Sequence, residues 1–359
     1  MTGLHGRLGS ATESAAFYGI CFGPMTTSES TRNPLRRRVL SISRVSVGAV
    51  VALLLSPALL IVAAVVDLFR HRRFVLTRCV VFGVTALWIE VIGICVAGLI
   101  WPLTPLSETF ASVNFRLQCW WARSLYRAAV RMLALDVEID TPLDLKSGPM
   151  IVLVRHTSLA ETLLPAVLIS DPFGIRLRWV MKRELLADPC LDIVGNRLPN
   201  YFVDRSASES AGEIDAIGRL GEDLGSDGGV VIFPEGTRFT PERRMRLIER
   251  LSNNPEEQER AASYSSVLPV RPGGTAALMD SAVDADIVVV LHTGFERTTR
   301  LGDLLGGSLV GARLRVAVWR IDRADVPGPG ARRLDWLDRL WHDVDAWVVE
   351  NSGKERPGS

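Results

Sequence analysis

The sequence predicts an α/β fold, in which a largely parallel or mixed sheet is flanked by helices and preceded by an N-terminal hydrophobic two-helix membrane segment. From residue 150 onward, short apolar runs alternate with stretches of helical spacing, which is typical of α/β domains. Before residue 105, two apolar stretches cover 45–66 and 80–101. Each is long enough for a bilayer crossing, which takes about 20 residues. We therefore expect the α/β domain to be held at a membrane.

Composition and charge argue against several classes of function. The 359 residues carry a formal net charge of +1, which gives no reason to expect a nucleic-acid partner. The five cysteines form no Cys-x-x-Cys pair and no cluster with histidine. We therefore expect neither a metal site nor a disulfide framework, and no resident cofactor.

The chain divides into four predicted regions. The first is rich in Gly, Ser and Thr without any period, which is typical of a flexible segment, and Met25 within it is a candidate for the true start. The last is short and polar and is expected to be loose. The predicted ranges are 1–35 for the flexible region, 36–104 for the membrane hairpin, 105–350 for the α/β domain with an amphipathic helix at its start, and 351–359 for the tail.

The membrane hairpin has two candidate topologies. Arginines lie before, between and after the apolar stretches, so the positive-inside rule cannot place all three groups in the cytoplasm if both stretches span. Either the hairpin spans with a basic outer loop, or one or both stretches dip into the membrane and return. Pro57 and Glu90 favour the second arrangement, because each weakens a straight lipid-facing helix. The sequence leaves both topologies open.

Residues Ser107–Leu135 predict an amphipathic helix. Aromatic and aliphatic residues mix there with four arginines, Arg116, Arg123, Arg127 and Arg131. A basic helix with aromatic residues suits a membrane surface. An ordinary helix packed on the α/β domain has the same spacing, so the pattern does not distinguish the two.

Periodicity places the remaining elements. The predicted strands are Ile151–Val154, Arg178–Met181, Tyr201–Val203, Gly229–Phe233, Val267–Val270, Ile287–His292 and Leu314–Ile321. The predicted helices are Glu161–Ile169, Ala207–Leu224, Glu242–Tyr264, Thr275–Ser281 and Arg332–Val349. In the last of these helices, Trp, Leu and Val recur at helical spacing and predict a packed face.

The first polar block, Arg155-His-Thr-Ser-Leu-Ala-Glu161, directly follows the predicted strand Ile151–Val154. A histidine just past a strand end lies in a loop, where α/β folds carry their chemistry. Glu161 begins the next predicted helix, a position that favours an acid. His156 and Glu161 can therefore meet as a base and its orienting carboxylate. The alternative is a surface histidine beside a helix-capping acid.

Three further polar blocks end predicted strands. In chain order they contribute Asp204 and Arg205, then Glu235, Gly236, Thr237 and Arg238, and finally Arg271. Loops at the carboxyl ends of parallel strands share one crevice. Arginine binds phosphate through two parallel hydrogen bonds. Together with the histidine, these blocks predict a phosphorylated substrate whose hydroxyl is activated.

In this order, the blocks resemble those of the glycerolipid acyltransferase family, which includes 1-acylglycerol-3-phosphate and lysophospholipid O-acyltransferases. The family's Phe-Pro-Glu-Gly-Thr-Arg motif is present unchanged as Phe233–Arg238. Lys182-Arg-Glu-Leu185, Val203-Asp-Arg205 and Val267-Leu-Pro-Val-Arg-Pro-Gly273 resemble its other elements, over about residues 150–294. The family has aspartate where this chain has Glu161, so the acid is kept but its carboxylate lies one methylene farther out.

The resemblance implies a membrane-bound enzyme that transfers a fatty acyl group from acyl-CoA or an acyl carrier protein to the hydroxyl of a lysophospholipid, in the first place 1-acylglycerol-3-phosphate. His156 and Glu161 would be catalytic. The substrate-site residues it implies are Arg205, Arg238 and Arg271 for the phosphate, and Glu235, Gly236, Thr237, Lys182 and Ser158 around it. The implied partners are the lysophospholipid, the acyl donor and membrane lipid, at the cytoplasmic side of a bacterial plasma membrane.

Other interpretations stay open at this point. The acceptor can be another lysophospholipid or a glycolipid, and Glu161 can mark a catalytically weakened homologue. If Glu161 fills the family's acid role, Glu161→Asp is expected to keep or raise activity. A lipid hydrolase would need a serine nucleophile, but Ser158 lacks a Gly-x-Ser-x-Gly elbow. A membrane-anchored binding protein would not depend on His156.

Overall fold

The computed structural model describes residues 33–71, 74–140, 145, 148–204, 210–298 and 301–352. The chain forms two compact units. The first takes its residues from 1–135, 182–199 and 300–311, and the second from 136–181, 200–299 and 312–359. Met25, most of the predicted flexible region, Arg205 and residues 353–359 of the predicted tail lie outside the described residues. The four predicted domain ranges stay predictions.

The elements have the following bounds. The helices are α1 (Pro34–Phe69), α2 (Val75–Ile100), α3 (Ser107–Met132), α4 (Asp171–Phe173), α5 (Pro189–Gly195), α6 (Ala211–Gly218), α7 (Pro241–Arg250), α8 (Pro255–Ser263), α9 (Pro272–Ser281), α10 (Leu301–Leu305) and α11 (Ala331–Ser352). The strands are β1 (Asp136–Ile139), β2 (Met150–Val154), β3 (Arg176–Lys182), β4 (Tyr201–Val203), β5 (Gly228–Ile232), β6 (Asp286–Thr293) and β7 (Arg313–Ile321). Short 3₁₀ turns cover Trp101–Leu103, Ala160–Leu163, Arg183–Ala187, Arg219–Gly221 and Arg323–Asp325, and a π-turn covers Ala166–Ser170.

The described strands form one seven-stranded mixed sheet in the order β1-β7-β6-β2-β5-β3-β4. Strands β6, β2, β5 and β3 run parallel, and Val152 of β2 pairs with Val231 of β5 and Val288 of β6. Strand β7 runs antiparallel to β6 and parallel to β1. The predicted fold class is confirmed. Because β2, β5 and β6 point the same way, the loops that follow them meet at one edge of the sheet.

The core of the second unit explains why the apolar runs form central strands. All residues of β2 and β5 are buried, as expected for strands covered on both faces. On one face, alternate residues such as Ile151 and Leu153 belong to the same apolar cluster as Leu278 of α9 and Trp341 of α11. The predicted packed face of α11 is thereby confirmed. Full burial of each such side chain contributes about 1.5–3 kcal/mol, so this cluster fixes the strands that position the site.

The predicted strand Val267–Val270 is wrong. Pro269 has no N–H for a ladder hydrogen bond, and the N–H of Leu268 donates to the Glu235 carboxylate at 2.9 Å. The segment is irregular, although its aliphatic side chains are buried. Its apolar residues therefore fill the core from a loop, which apolar spacing alone does not distinguish from a strand.

Prolines change three predicted helices or their bounds. The predicted helix Glu242–Tyr264 is two helices, because Asn254 caps a new helix that begins at Pro255. The predicted helix Glu161–Ile169 is a 3₁₀ turn followed by a π-turn that begins after Pro165, a residue with no N–H to continue the first turn. Helix α9 begins earlier than predicted, since its first residue is a proline. Of the predicted helix 207–224, residues 210–224 are described, and they form α6 and one 3₁₀ turn that ends at Gly221.

The predicted hairpin is present as α1 and α2. By length and composition both can cross a membrane, and only 11% and 22% of their most apolar windows are buried. Asp67 of α1 accepts two N–H groups at the start of α2, at 3.0 and 2.9 Å, and so caps it. Pro57 lies inside α1, where the Ser56 hydroxyl donates at 2.7 Å to Leu53 O, the carbonyl that Pro57 cannot bond. Two such helices indicate membrane association.

The predicted amphipathic helix is α3, and its apolar face is occupied by protein. Leu117, Cys119 and Ala122 are buried. Leu117 shares an apolar cluster of the first unit with Ala97 of α2 and Val194 of α5. The apolar face of α3 thus packs within the first unit, against α2 and α5.

Candidate active site

Loop 155–161 follows β2 and places His156 against Glu161. The imidazole Nδ1 lies 2.8 Å from Glu161 Oε1, and the two residues are 4% and 0% exposed. A carboxylate only accepts hydrogen bonds, so Nδ1 is the donor in this contact, and in the neutral imidazole the lone pair then lies on Nε2. The imidazole also lies 4.5 Å from the Phe233 ring, measured between centroids. The two residues are thus in contact as expected for a base and its orienting carboxylate, and their catalytic roles stay predictions.

Glu161 is held by the backbone of the same loop. Its Oε1 accepts the N–H of Thr157 at 3.0 Å, and its two oxygens accept the N–H of Ser158 at 2.9 and 2.8 Å. The side chain starts from the 3₁₀ turn Ala160–Leu163 and reaches back over the loop. Glutamate has one methylene more than the family's aspartate, and this length lets the side chain span the distance back to the imidazole. The carboxylate therefore stays in contact with the imidazole.

Glu235 fixes loop 155–161 from the neighbouring strand β5. Its Oε1 accepts the N–H of His156 at 2.8 Å, and its Oε2 accepts the N–H of Leu268 at 2.9 Å. The pKa of Glu235 is raised to about 8 in total. Burial raises it, and the two N–H donors and the charge of Arg155 make the increase smaller. The side chain thus ties the loops after β2 and β5 to the irregular segment 267–270.

Arg155 is a fully buried cation that immediately precedes His156. Its guanidinium donates to His292 O at 2.6 Å, to Ser266 O at 2.9 Å and to the Glu296 carboxylate at 2.6 Å. A buried charge is tolerated when it is paired and hydrogen-bonded. Arg155 therefore joins the start of loop 155–161 to two other segments, the end of β6 with the loop after it and the irregular segment after α8.

His292 and Glu296 complete this buried network. His292 Nε2 donates to Arg155 O at 2.9 Å. Burial lowers the pKa of His292, which favours its neutral form. Burial raises the pKa of Glu296, but the Arg155 guanidinium outweighs burial and the net pKa is lowered. His292 therefore links β6 to the start of loop 155–161.

Gly236 and Arg271 lie against each other. Gly236 has a φ of +67°, and a Cβ at this position would lie 2.8 Å from Arg271 Cδ. Both the backbone and the close approach therefore require glycine. The N–H of Arg271 donates to Pro234 O at 2.8 Å, and the residue is exposed. The structure thus brings the Glu-Gly-Thr-Arg loop and the arginine of the last block together.

Thr237 and Arg238 continue the loop after Gly236. Thr237 is half-buried and Arg238 is only 6% exposed. The carbonyl of Arg238 accepts a hydrogen bond from the Arg243 guanidinium at 3.2 Å, which ties the loop to the first turn of α7. The two predicted phosphate-binding arginines of this edge, Arg238 and Arg271, thus differ in their access to solvent.

The remaining predicted substrate residues do not form one group. Ser158 is buried, and its hydroxyl donates to Thr298 O at 2.7 Å. Lys182 is the half-buried last residue of β3 and belongs to the first unit. Arg205 lies outside the described residues. Within the part of the chain that the structure describes, no group of three or more His, Cys, Asp or Glu side chains could hold a metal ion.

Comparison with known families gives a match over the part of the chain that contains the four polar blocks. A family model described as Acyltransferase matches residues 136–290. The chain carries an acyltransferase domain. The resemblance seen in the sequence is thereby confirmed at the level of the family, and so is the enzyme class.

Among solved structures, the acyltransferase domain together with its flanking segments is similar to the 1-acyl-sn-glycerophosphate (LPA) acyltransferase PlsC from Thermotoga maritima. The TM-score is 0.48 at 14% sequence identity, with 77% of this chain and 98% of that chain covered. Similarity of this degree does not establish a shared activity. No match was found among curated proteins.

Sequence patterns did not assign the buried network of the acyltransferase domain. Arg155 was placed in the first block without a role, and Glu296 was not singled out. Arg155 could have been recognised as a buried cation, because it directly follows a strand whose residues are all apolar. Its partners could not be found from the sequence, because they lie in β6, in the loop after β6 and in the irregular segment after α8.

Proposed function

We propose that the protein is a membrane-bound glycerolipid O-acyltransferase. It transfers a fatty acyl group from acyl-CoA or an acyl carrier protein to the free hydroxyl of a lysophospholipid, with 1-acylglycerol-3-phosphate as acceptor and phosphatidic acid as product. The observation that carries this proposal is the buried 2.8 Å contact between His156 Nδ1 and Glu161 at the end of β2. It supplies a correctly oriented base in a domain of the acyltransferase family.

The proposed reaction is a direct transfer. Glu161 accepts the Nδ1–H of His156, so Nε2 can remove the proton of the acceptor hydroxyl. The resulting oxygen attacks the thioester carbonyl and forms the new C–O bond. The C–S bond then breaks, and the departing thiolate takes the proton from the imidazolium. The imidazole returns to its starting form without an acyl-enzyme.

The loop contacts support this role because they restrict the imidazole before substrate arrives. Glu235 holds the N–H of His156, and the N–H of Phe239 donates to His156 O at 2.6 Å. Both backbone groups of the base are thus fixed, in addition to its Nδ1. An error of about 1 Å in the position of a catalytic group can lower the rate about 100-fold, so such restriction has a large effect.

The arginines support an acceptor that carries a phosphate. Arg271 is exposed and lies against Gly236, so its guanidinium can reach a bound phosphate with two parallel hydrogen bonds. We assign Arg238 and Arg205 to the same task, with Thr237 as a further residue of the substrate site. The proposed site of action is the cytoplasmic side of a bacterial plasma membrane, to which α1 and α2 would hold the enzyme.

A panel of acceptors tests the proposal. Purified protein is given labelled acyl-CoA or acyl carrier protein, with lysophosphatidic acid, a zwitterionic lysophospholipid or a glycolipid as acceptor. Transfer to lysophosphatidic acid is expected to be fastest, and Arg271→Gln is expected to lower this preference about tenfold or more, as for the loss of a charge-assisted hydrogen bond. Faster transfer to the glycolipid would contradict the phosphate-bearing acceptor.

The same assay separates transfer from lipid hydrolysis. A hydrolase would release labelled fatty acid and would need a serine nucleophile. The Ser158 hydroxyl donates to Thr298 O, which suits a structural serine. Ser158→Ala is therefore expected to retain transfer within about tenfold, since it removes one buried hydrogen bond. Abolished turnover in that variant, with unchanged thermal unfolding, would favour hydrolysis.

A further inference from the structure

Part of the irregular segment after α8 lies against loop 155–161, and charged side chains hold its backbone. This part is residues 264–268, which we call the support segment, and none of these residues belongs to a helix or a strand. Ser266 O accepts a hydrogen bond from the Arg155 guanidinium at 2.9 Å, and the N–H of Leu268 donates to Glu235 at 2.9 Å. The support segment is therefore fixed by side-chain contacts in place of a strand ladder.

Asp345 of α11 binds two consecutive N–H groups of the support segment. Its Oδ2 accepts the N–H of Ser265 at 2.9 Å, and its Oδ1 accepts the N–H of Ser266 at 2.6 Å. Hydrogen bonds to an ionised acceptor are stronger than those between neutral groups. Because both oxygens are used, the carboxylate fixes the backbone immediately before Ser266 O, the acceptor of Arg155.

The position of Asp345 is itself set by the apolar core. The residue is 7% exposed and directly follows Val344, which is fully buried. Val344 and Trp341 belong to the same apolar cluster as Ile151 of β2. Close packing leaves such side chains few alternative positions. The Asp345 carboxylate therefore has a fixed place relative to the strand that leads into loop 155–161.

Two sets of contacts connect the support segment to His156. In the first, Ser266 O holds the guanidinium of Arg155, the residue directly before His156. In the second, the N–H of Leu268 and the N–H of His156 bind the two oxygens of the Glu235 carboxylate. A displacement of the support segment therefore reaches the backbone of His156 in two ways.

We propose that Asp345 is a positioning residue for the catalytic base. It holds the support segment, and the segment holds Arg155 and, through Glu235, the backbone N–H of His156. This inference rests on the proposed function in that it takes His156 as the base. All the residues involved belong to the second unit, but Asp345 lies outside residues 136–290, over which the family model matches. Helix α11 then contributes to the rate of transfer as well as to the fold.

Steady-state kinetics of purified full-length variants test this role. Asp345→Asn leaves one of the two serine N–H groups facing an NH₂ group. Asp343→Asn is the same exchange at an exposed position of α11, and Asp280→Asn weakens a different contact of α11, the pair between Asp280 of α9 and the buried Arg333. We expect kcat of Asp345→Asn to fall about tenfold below both controls, with KM for each substrate changed less than about twofold, because the base moves and the substrate residues are unaltered. A kcat equal to that of the controls would overturn the proposal.

The same exchange in a His156→Ala background separates positioning from a general loss of structure. Transfer that remains without the imidazole does not depend on where residue 156 is held. Asp345→Asn should therefore leave the single-turnover rate of His156→Ala unaltered, since two residues that act through one contact have non-additive effects. If Asp345→Asn lowered the rate by the same factor in both backgrounds, the positioning role would be wrong.

Hydrogen exchange followed by mass spectrometry tests the position of the base without an assay of activity. The N–H groups of His156 and Ser158 are held by carboxylates, so they exchange slowly as long as loop 155–161 stays closed. In Asp345→Asn, peptides from this loop and from the support segment should exchange about tenfold faster than in Asp343→Asn, as for one weakened charge-assisted hydrogen bond. Unchanged exchange of loop 155–161 would overturn the proposal.

A charge-conserving variant and the unaltered protein complete the exchange experiment. Asp345→Glu keeps both acceptor oxygens, so its loop exchange should lie between that of the unaltered protein and that of Asp345→Asn. It replaces the amide variant if the latter does not fold, and loop exchange equal to that of Asp343→Asn would then overturn the proposal. Failure of the unaltered protein to transfer acyl groups to any acceptor would contradict the proposed function and leave the exchange comparison valid.

Discussion

Both units bury carboxylates, but they use them in different ways. In the second unit, Glu161 and Glu235 accept N–H groups of one loop and hold a histidine whose Nε2 carries a lone pair. In the first unit, Asp192 accepts two hydrogen bonds from the Arg37 guanidinium at 2.9 and 2.8 Å, and so joins α1 to α5. One arrangement orients a base, whereas the other neutralises a buried cation. Exchanges in the first group should therefore change the rate, and exchanges in the second should change stability.

The largest expected effect is that of Glu161→Gln. With the amide oxygen in the place of Oε1, the NH₂ group faces the Ser158 N–H and the negative charge beside the imidazole is lost. With the amide turned round, the NH₂ group faces Nδ1 and favours the wrong imidazole tautomer. We expect kcat to fall about 10³–10⁴-fold, as when the acid behind a catalytic histidine is neutralised. Initial rates of acyl transfer measure this, with thermal unfolding as a check on folding. A rate within tenfold of the unaltered enzyme would remove Glu161 from the mechanism.

Glu161→Asp is the charge-conserving control, and here the structure changes the expectation from sequence. The Glu161 carboxylate has contacts at 2.8–3.0 Å to the imidazole and to two loop N–H groups, all of which need its full length. Shortening by one methylene is therefore expected to lower kcat about 10–100-fold instead of keeping it. Unchanged or raised activity would show that the loop follows the shorter side chain.

The second effect in size is on stability and belongs to the first unit. Asp192→Ala leaves the guanidinium of Arg37 buried without its main partner, which should cost about 3 kcal/mol of unfolding free energy. The matched control is Asp215→Ala, which breaks the exposed pair with Arg219 (68% and 63% side-chain exposure) and should cost at most about 0.5 kcal/mol. Denaturant unfolding in detergent measures both. If both variants lost the same unfolding free energy, the buried Arg37–Asp192 pair would not be the stabilising contact that the first unit is taken to contain.

Glu235→Gln should lower both the rate and the stability, each by less than the variants above. A carboxamide has one acceptor oxygen, so either the His156 N–H or the Leu268 N–H would face an NH₂ group. We expect a loss of about 1–3 kcal/mol in unfolding free energy and a fall in kcat of about 10–100-fold. Glu249→Gln, at an exposed position of α7, is the control and should change neither quantity. An unaltered rate would mean that His156 does not depend on this contact.

The smallest expected effect is the pH dependence that His292 adds to stability. Because its pKa is lowered in the folded state, the unfolded chain binds a proton that the folded chain does not, at pH values between the folded pKa and about 6.5. Stability should therefore rise with pH through this window, and acidification through the same window should lower it, with no further change from His292 below the folded pKa. Unfolding free energies at pH 5 and 7.5 should differ less in His292→Gln than in the unaltered protein. An equal difference in both proteins would contradict a buried neutral His292.

Two other groups of the buried network do not confuse this comparison. The lowered pKa of Glu296 adds stability that is lost only as the pH falls below the usual range of glutamate, about 4.3. The raised pKa of Glu235, about 8, acts in the opposite direction, because its stabilisation is lost as the pH rises toward that value. Both contributions are present in His292→Gln as well, so the difference between the two proteins isolates His292.

Much of the fold could be predicted because burial on both faces leaves a clear pattern. Strands β2, β5 and β6 are continuous apolar runs, and each was predicted within one or two residues. Strand β1 was missed, because Asp136–Ile139 alternates acidic and aliphatic residues at the edge of the sheet. An edge strand tolerates charges that a central strand does not, so its pattern resembles that of a loop.

The site could be predicted only where its residues follow strands in recognisable blocks. His156, Glu161 and Glu235 were found this way, but the contact of Glu235 with the backbone of His156 was not. That contact joins the loop after β5 to the loop after β2. Because every residue except proline has a backbone N–H, the residue type at position 156 does not reveal that its N–H is bound by Glu235. Segment 267–270 was predicted as a strand because its sequence does not show that the N–H of Leu268 donates to Glu235 and not to a neighbouring strand.

The most direct test of the central claim is a single-turnover measurement with His156→Ala. Excess enzyme is mixed with labelled acyl-CoA and lysophosphatidic acid, and the rate of phosphatidic acid formation is followed for the variant and the unaltered protein. If His156 is the base held by Glu161, the rate should fall on the order of 10³–10⁴-fold. Vesicle binding and unfolding free energy should stay close to those of the unaltered protein. Transfer by the variant within tenfold of the unaltered rate would contradict the account.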